Sequence, residues 1–205
     1  MDLNIEESLK SIIDKIKKLD YIDPKDIPNI DLYMDQVTTF MDEHLKSSKR
    51  YSEDKLLTKT MINNYTKNNL LPSSNKKKYS KEHILLLIFI YYFKNILSIS
   101  DIQSIFNPLT EKYYGGESEI GLEEIYKEVF GHEKDQMDTL LKDVIKKYNK
   151  SRETFSEVDS KEDREFLNTF SFICMLSFDV YVKKQMIEKL IDESILNRKK
   201  EKTKE

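Results

Sequence analysis

Residues 57–106 read LTKTMINNYTKNNLLPSSNKKKYSKEHILLLIFIYYFKNILSISDIQSIF, and this stretch decides the fold that the sequence predicts. A threonine at its start is a typical helix N-cap, so a helix is predicted over residues 58–68, before Pro72 stops it. A hydrophilic loop with three consecutive lysines follows over residues 73–79. An apolar helix and a shorter, serine-capped helix come next. The stretch therefore predicts three helices, the first two of which are separated by a basic loop.

The predicted helix over residues 58–68 has two different faces. Met61, Ile62 and Tyr65 fall together with Leu57 on an apolar side. The opposite side carries only polar and basic residues: Lys59, Thr60, Asn63, Asn64, Thr66 and Lys67. A carboxylate there would repel phosphate, and this helix has none. Helix, basic loop and helix in this order are typical of a winged helix-turn-helix, which offers a polar helix and a hairpin to DNA.

The basic residues are concentrated around this stretch. The whole chain has a net charge of −3, but residues 46–94 contain 11 Lys and Arg against 3 acidic residues. That block therefore carries +8, and the remainder of the chain carries −11. A basic block within an acidic chain is the charge pattern expected of a nucleic-acid-binding module. A solvated lysine face is the alternative.

Low glycine and proline content, four of each in 205 residues, favours long helices. An amphipathic helix is predicted over residues 5–19, and a second one is expected to be capped by Asp31. Residues 107–121, with a proline and two adjacent glycines, are the predicted boundary between the front and back halves. A long helix over residues 163–197 is expected either to cover its own core or to pair with a second subunit.

The sequence offers little chemistry elsewhere. Cys174, the only cysteine, lies in an apolar run and is predicted to be a buried thiol. The longest apolar run, residues 84–93, is too short to span a bilayer and predicts a central core helix. No metal-ligand spacing, phosphate-binding loop or paired carboxylates stand out. We therefore expect a cytoplasmic protein without a membrane partner, cofactor, bound metal or enzymatic activity.

Residues 58–102 resemble the DNA-binding domain of mercury-resistance-type (MerR-like) regulators. That family shows a capped recognition helix, Leu-Leu-Pro, a wing closing at Tyr-Ser, and a fourth helix beginning at a serine followed by an acid. The matching residues are Thr58, Tyr65, Leu70, Leu71, Pro72, Tyr79, Ser80, Leu97, Ser98, Asp101 and Ile102. The family usually carries Arg-Tyr where this chain has Asn63 and Asn64. Those asparagines either pair with adenine or are simply solvated.

A wider stretch, roughly residues 27–130, is similar to an uncharacterised bacterial family called domain of unknown function 1836. With the first resemblance, it implies a mainly α protein with a MerR-like winged helix-turn-helix and a small β-wing. The implied divisions are an N-terminal helix and connector (1–30), the winged domain (31–107) and a helical effector or dimerisation region (122–200). DNA-binding proteins of this type usually bind as two-fold dimers to paired half-sites, so a homodimer is expected by analogy.

The predicted function is that of a DNA-binding transcriptional regulator whose partner is double-stranded DNA. The predicted phosphate contacts are Lys59, Lys67, Lys76, Lys77 and Lys78, and the predicted base contacts are Thr60, Asn63 and Asn64. Tyr65 and Tyr79 are expected to pack in the core. The main alternative is a protein-interaction module that keeps the fold without reading DNA. RNA binding is a weaker alternative, because exposed aromatic pairs for base stacking are lacking.

Overall fold

The protein is mainly helical and contains one small antiparallel sheet. The computed structural model describes residues 5–16, 22–116, 118–131 and 133–202. The helices are α1 (Ile5–Ile16), α2 (Met34–Leu45), α3 (Lys59–Lys67), α4 (Lys81–Phe93), α5 (Ile99–Tyr113), α6 (Leu122–Gly131), α7 (Glu133–Arg152) and α8 (Lys161–Lys202). The strands are β1 (Leu32–Tyr33) and β2 (Lys78–Tyr79), with Leu32 opposite Tyr79 and Tyr33 opposite Lys78. The end of the predicted first helix, residues 17–19, lies outside the described residues.

The chain divides into two compact units. The sheet-containing unit comprises residues 19–131 with 188–205. The hairpin unit comprises residues 1–18 with 132–187, and it is named after its helix pair, α7 and α8, not after the lysine-tipped β-hairpin of the other unit. The division that the sequence predicted began its C-terminal region at residue 122. In the structure, α6 belongs to the sheet-containing unit.

Helix α4 is the centre of the sheet-containing unit. Every residue from His83 to Tyr91 is buried, in agreement with the central core helix that the sequence predicted. A helix that is apolar on all sides has to be covered on all sides. Helix α6 packs against α4, and the Phe106 ring of α5 lies 6.5 Å from the Phe89 ring of α4, measured between centroids. Buried apolar side chains from α2, α3, α5 and α6 complete the core of the unit.

Helix α6 covers one side of α4 with aromatic rings. Tyr126 is completely buried, and its hydroxyl donates a hydrogen bond to the Ile22 carbonyl at 2.9 Å. The Phe89 ring of α4 lies 5.4 Å from the Tyr126 ring and 5.2 Å from the Phe130 ring, measured between centroids. Aromatic side chains bury large areas, so α6 is an integral part of this core.

Helix α5 is longer than the sequence suggested. It begins at the predicted cap, where Ser98 accepts a hydrogen bond from the Asp101 amide, and it continues through Pro108 to Tyr113. The predicted boundary over residues 107–121 is therefore half helical. After the helix, the Gly115 amide donates to the Glu82 carboxylate of α4 at 3.2 Å. This contact holds the turn at Gly115 and Gly116 against the start of α4.

The second helix begins later than predicted. Asp31 does not cap it, because Leu32 and Tyr33 first form β1. The N-cap is Tyr33, whose backbone amide donates to the Gln36 side chain at 2.9 Å. Because Leu32 and Tyr33 pair with β2 as an extended strand, they cannot form the first turn of a helix capped by Asp31.

The hairpin unit carries a helix whose apolar residues are largely exposed. None of the described side chains of residues 161–190 in α8 is buried. The prediction that Cys174 is a buried thiol is wrong, because the sulfur is exposed. Among the described residues, the helix segment Lys161–Ile195 contains an 18-residue window with a mean hydropathy of 1.2, so by length and composition alone it could cross a membrane. The sequence prediction had considered only residues 84–93 for that role.

Candidate nucleic-acid interface

Helix α3 is bounded by two local signals. At its start the Thr58 hydroxyl accepts a hydrogen bond from the Met61 amide at 3.2 Å, which confirms the predicted cap. At its end Asn69 has a φ of 54°, and the Leu70 amide donates to the Tyr65 carbonyl at 2.9 Å. This is a Schellman motif with asparagine in the left-handed position. The chain therefore leaves the helix before Pro72, without help from the proline itself.

The two faces of α3 agree with the sequence prediction. Ile62 and Tyr65 are buried, and burial raises the pKa of the Tyr65 hydroxyl. The exposed residues are Lys59, Thr60, Asn63, Asn64 and Lys67, all of them predicted site residues. Spacings of three and four place Thr60, Asn63, Asn64 and Lys67 on one side of the helix.

The connection between α2 and α3 is anchored on α4. Lys94 donates a hydrogen bond to the Leu56 carbonyl at 2.6 Å, and burial lowers the pKa of this ammonium. The Ser48 and Tyr91 hydroxyls lie 2.5 Å apart. These contacts hold the start of α3 in place at the end of a long connection.

The basic loop is a tight hairpin with lysines at its tip. Asn75 and Lys78 exchange two backbone hydrogen bonds, at 3.0 and 2.9 Å. Between them Lys76 has a φ of 49° and Lys77 a φ of 64°. Positive φ at both central positions defines a type I′ turn, which ordinarily carries Asn-Gly. Each lysine costs about 1–2 kcal/mol in this conformation, so the tip keeps its charge at the expense of stability.

Lys78 differs from the two lysines at the tip. It lies in β2, is half-buried, and its ammonium is 5.3 Å from the centroid of the Tyr33 ring on β1. This cation–π contact holds the side chain along the sheet. Lys76 and Lys77, in contrast, are exposed.

The start of α3 and the base of the hairpin meet at the junction of β1 and α2. Lys59 forms an ion pair with Asp35, in the first turn of α2. Two residues earlier, Tyr33 pairs with Lys78 across the sheet. The structure thereby brings the helix and hairpin parts of the predicted site together. Sequence reasoning missed Asp35, because nothing in the spacing shows that it faces Lys59.

A buried histidine holds the root of the hairpin on α4. His83 Nδ1 accepts a hydrogen bond from the Ser80 amide at 3.0 Å, and the Tyr114 hydroxyl lies 3.1 Å from Nε2. The Tyr79 ring packs edge-on at 5.4 Å between centroids. Burial lowers the pKa of His83, while hydrogen bonds with the Ser73 and Pro72 backbone and the charge of Asp31 oppose the shift.

We expect the stability of the chain to fall as the pH decreases below the ordinary histidine pKa of about 6.5. A lowered pKa in the folded state means that the unfolded chain binds the proton more readily, so acid favours unfolding. Protonation of Nδ1 also removes the acceptor of the Ser80 amide. Urea unfolding at pH 7.5 and 5.5 measures the loss. His83→Asn keeps an acceptor but does not titrate, so its profile should be flatter, whereas exposed His44→Asn should behave as wild type. An unchanged slope in His83→Asn would contradict the assignment.

Taken together, the described fold and surface define a mainly helical domain with an adjacent basic helix and hairpin. The chain belongs to the family described as Domain of unknown function (DUF1836), whose model matches residues 22–130. This confirms the wider of the two resemblances. The match ends one residue before the end of α6, in keeping with the place of α6 in the core. Comparisons with curated proteins and with solved structures give no significant match. In the described ranges, no cluster of His, Cys, Asp or Glu could hold a metal ion.

Proposed function

We propose that the protein is a DNA-binding transcriptional regulator whose sheet-containing unit acts as a winged helix-turn-helix. One observation carries the proposal: the exposed face of α3 has no carboxylate of its own and adjoins a hairpin with two lysines at its tip. Helix α2 packs against α3 as the first helix of such a pair would. The proposal includes a cytoplasmic protein with double-stranded DNA as its partner and without a cofactor or enzymatic activity.

Each part of the surface has a distinct task. Lys59 and Lys67, at the two ends of α3, would contact phosphates and set the helix in the major groove. Thr60, Asn63 and Asn64 would face the base edges between them, where asparagine can pair with adenine N6 and N7. The hairpin lysines would contact phosphates beside the groove and contribute salt-dependent affinity.

A protein-interaction module is the second candidate, and the Lys59–Asp35 ion pair favours it. This pair places a carboxylate at the start of the proposed DNA-contacting helix. The net charge of −3 also weakens long-range attraction to DNA. In this case the same surface would bind an acidic or polar protein partner.

A selection experiment distinguishes the two candidates. The full chain is titrated against a randomised, fluorescent duplex pool at low and at moderate salt, and the retained DNA is sequenced. A regulator should enrich one sequence, show two half-sites if it binds as a dimer, and lose affinity steeply with salt. Absence of any anisotropy change at low salt would exclude DNA binding and favour the protein partner.

We expect Asp35→Asn to tighten DNA binding about fivefold at low salt. The substitution removes a negative charge near the phosphates and releases Lys59, and an exposed ion pair of this kind contributes at most about 1 kcal/mol to stability. Anisotropy titrations measure the change. Asp42→Asn is the matched control, because it breaks the Lys49–Asp42 ion pair elsewhere on α2. Equal effects of the two variants would argue against a phosphate contact by Lys59.

A further inference from the structure

Helix α8 carries an apolar surface on the side that faces away from α7. The residues of this outward face are Phe166, Leu167, Phe170, Ile173, Cys174, Ser177, Phe178, Val180 and Tyr181. They follow helical spacing over about 24 Å, and no charged residue interrupts them. Phe166 is 69% exposed, Phe170 54%, Phe178 66% and Tyr181 59%.

The inner face of α8 is held by α7 through specific contacts. Asp179 forms an ion pair with Lys147 at 2.7 Å, and the Phe172 ring packs edge-on against the Tyr148 ring at 5.5 Å between centroids. These contacts fix which side of α8 meets its own chain. The outward face therefore has no partner within the described part of the hairpin unit.

The area of the outward face is that of a protein interface. At roughly 200 Å² for each aromatic side chain, multiplied by the exposed fractions given above, the four rings present about 500 Å² to solvent. Ile173 and Val180, 54% and 62% exposed, raise the total to about 700 Å². The largest apolar patch on a typical monomer is about 300–600 Å², whereas a stable interface buries about 800 Å² on each partner. The face thus approaches what a stable dimer requires.

We propose that this outward face pairs with the same face of a second copy, antiparallel, about a two-fold axis between Ile173 and Cys174. Residues at equal distances from such an axis meet. Phe166 then faces Tyr181 of the second copy, and Phe170 faces the small Ser177. At the ends of the face, Asp163 meets Lys184, so opposite charges close the interface.

The same face is less suited to a lipid bilayer. Helix α7 packs along the inner side of α8, and its C-terminal half is strongly charged. The charged residues are Lys142, Asp143, Lys146, Lys147, Lys150 and Arg152. A bilayer-spanning α8 would carry these groups into hydrocarbon at high cost. A helix that is apolar on its outward face and ion-paired with α7 on its inner face fits a protein partner better than a bilayer. This inference does not depend on DNA binding.

Crosslinking and mass measurements on the full chain test the pairing. Because Cys174 is the only cysteine, a short bis-maleimide can join only two chains. We expect rapid crosslinking at micromolar concentration, and light scattering should give twice the 24.4 kDa chain mass. A monomer at every accessible concentration would overturn the proposal, as would a monomer that sediments with anionic phospholipid vesicles.

Substitutions separate this face from others on the same helix. Phe170→Glu should raise the dimer dissociation constant by about thirtyfold or more, because it places a charge in the centre of the interface. Met186→Glu is the matched control: Met186 is 61% exposed and lies on the opposite side of α8. Equal weakening by both variants would overturn the assigned face. Circular dichroism confirms that both variants remain folded.

Exchange of the end charges tests the antiparallel arrangement. Asp163→Lys alone should weaken the dimer, since two lysines would then meet at each end. Asp163→Lys with Lys184→Asp should restore it, because the opposite charges face each other again. A parallel pair places each residue opposite itself and gains nothing from the double exchange. Failure of the double variant to recover would overturn the antiparallel pairing.

Discussion

Charge reversal at the hairpin tip, Lys76→Glu with Lys77→Glu, is expected to reduce DNA affinity about a hundredfold. Each lysine donates to a phosphate in the proposed complex, and a hydrogen bond to a charged group contributes about 1.5–3 kcal/mol. The slope of log affinity against log salt should fall by about two, because two fewer counterions are released. Anisotropy titrations between low and moderate salt measure both quantities.

The turn itself calls for a control, since both lysines have positive φ. Lys76→Asn with Lys77→Gly removes the charges but supplies the residues that a type I′ turn favours. We expect this variant to be more stable than wild type by about 1–2 kcal/mol in urea unfolding, and yet to bind DNA about tenfold more weakly. Higher stability together with lower affinity would show that the charges, and not the turn, contact DNA.

A lysine on another surface completes the comparison. Lys142→Glu changes the net charge of the chain in the same sense but lies on α7, in the hairpin unit. It should reduce affinity by less than about twofold at moderate salt, because salt screens charges that do not contact the DNA. If Lys142→Glu and the tip variants weaken binding alike, the effect is one of net charge and the hairpin is not a contact.

Tyr126→Ala is expected to lower the free energy of unfolding by about 4 kcal/mol. The substitution leaves a cavity beside Phe89 and Phe130 and an unpaired Ile22 carbonyl in the core. Loss of a large buried aromatic side chain costs about 3–5 kcal/mol. Urea unfolding followed by far-ultraviolet circular dichroism measures the change.

Two further tyrosine variants divide this effect. Tyr126→Phe keeps the ring and should cost only about 1 kcal/mol for the lost hydrogen bond. Tyr51→Ala, at a tyrosine that is 54% exposed, should change stability by less than about 0.5 kcal/mol. A small effect of Tyr126→Ala would mean that α6 is not part of the core. The predicted winged domain over residues 31–107 would then be able to fold without α6.

The local elements of the candidate site could be predicted from the sequence. Thr58 caps α3 as predicted, and Ile62 and Tyr65 turn inward because three- and four-residue spacing places them on one side. The burial of α4 followed from its uninterrupted apolar residues. These features depend on neighbours within a few positions, so the chain carries their signals locally.

Contacts between distant segments could not be predicted in this way. The Asp35 carboxylate meets Lys59 only because β1 and β2 pair and bring the start of α2 beside α3. The Tyr126 hydroxyl donates to the carbonyl of Ile22, which lies 104 residues earlier in the chain, and helical spacing cannot predict a partner so far away in sequence. Cys174 lies in an apolar run that would be buried in most helices, but α7 covers the other side of α8.

The sequence by itself determined where most helices form, which face of α3 is polar, and that a lysine-rich turn follows it. Propensity, capping and periodicity act over a few residues, and they suffice for those features. Only the tertiary structure decided that the hairpin and α3 meet at the β1–α2 junction, that α6 completes the core, and that α8 leaves its apolar face exposed. Each of these depends on which surfaces pack together, and packing is settled by residues far apart in the chain.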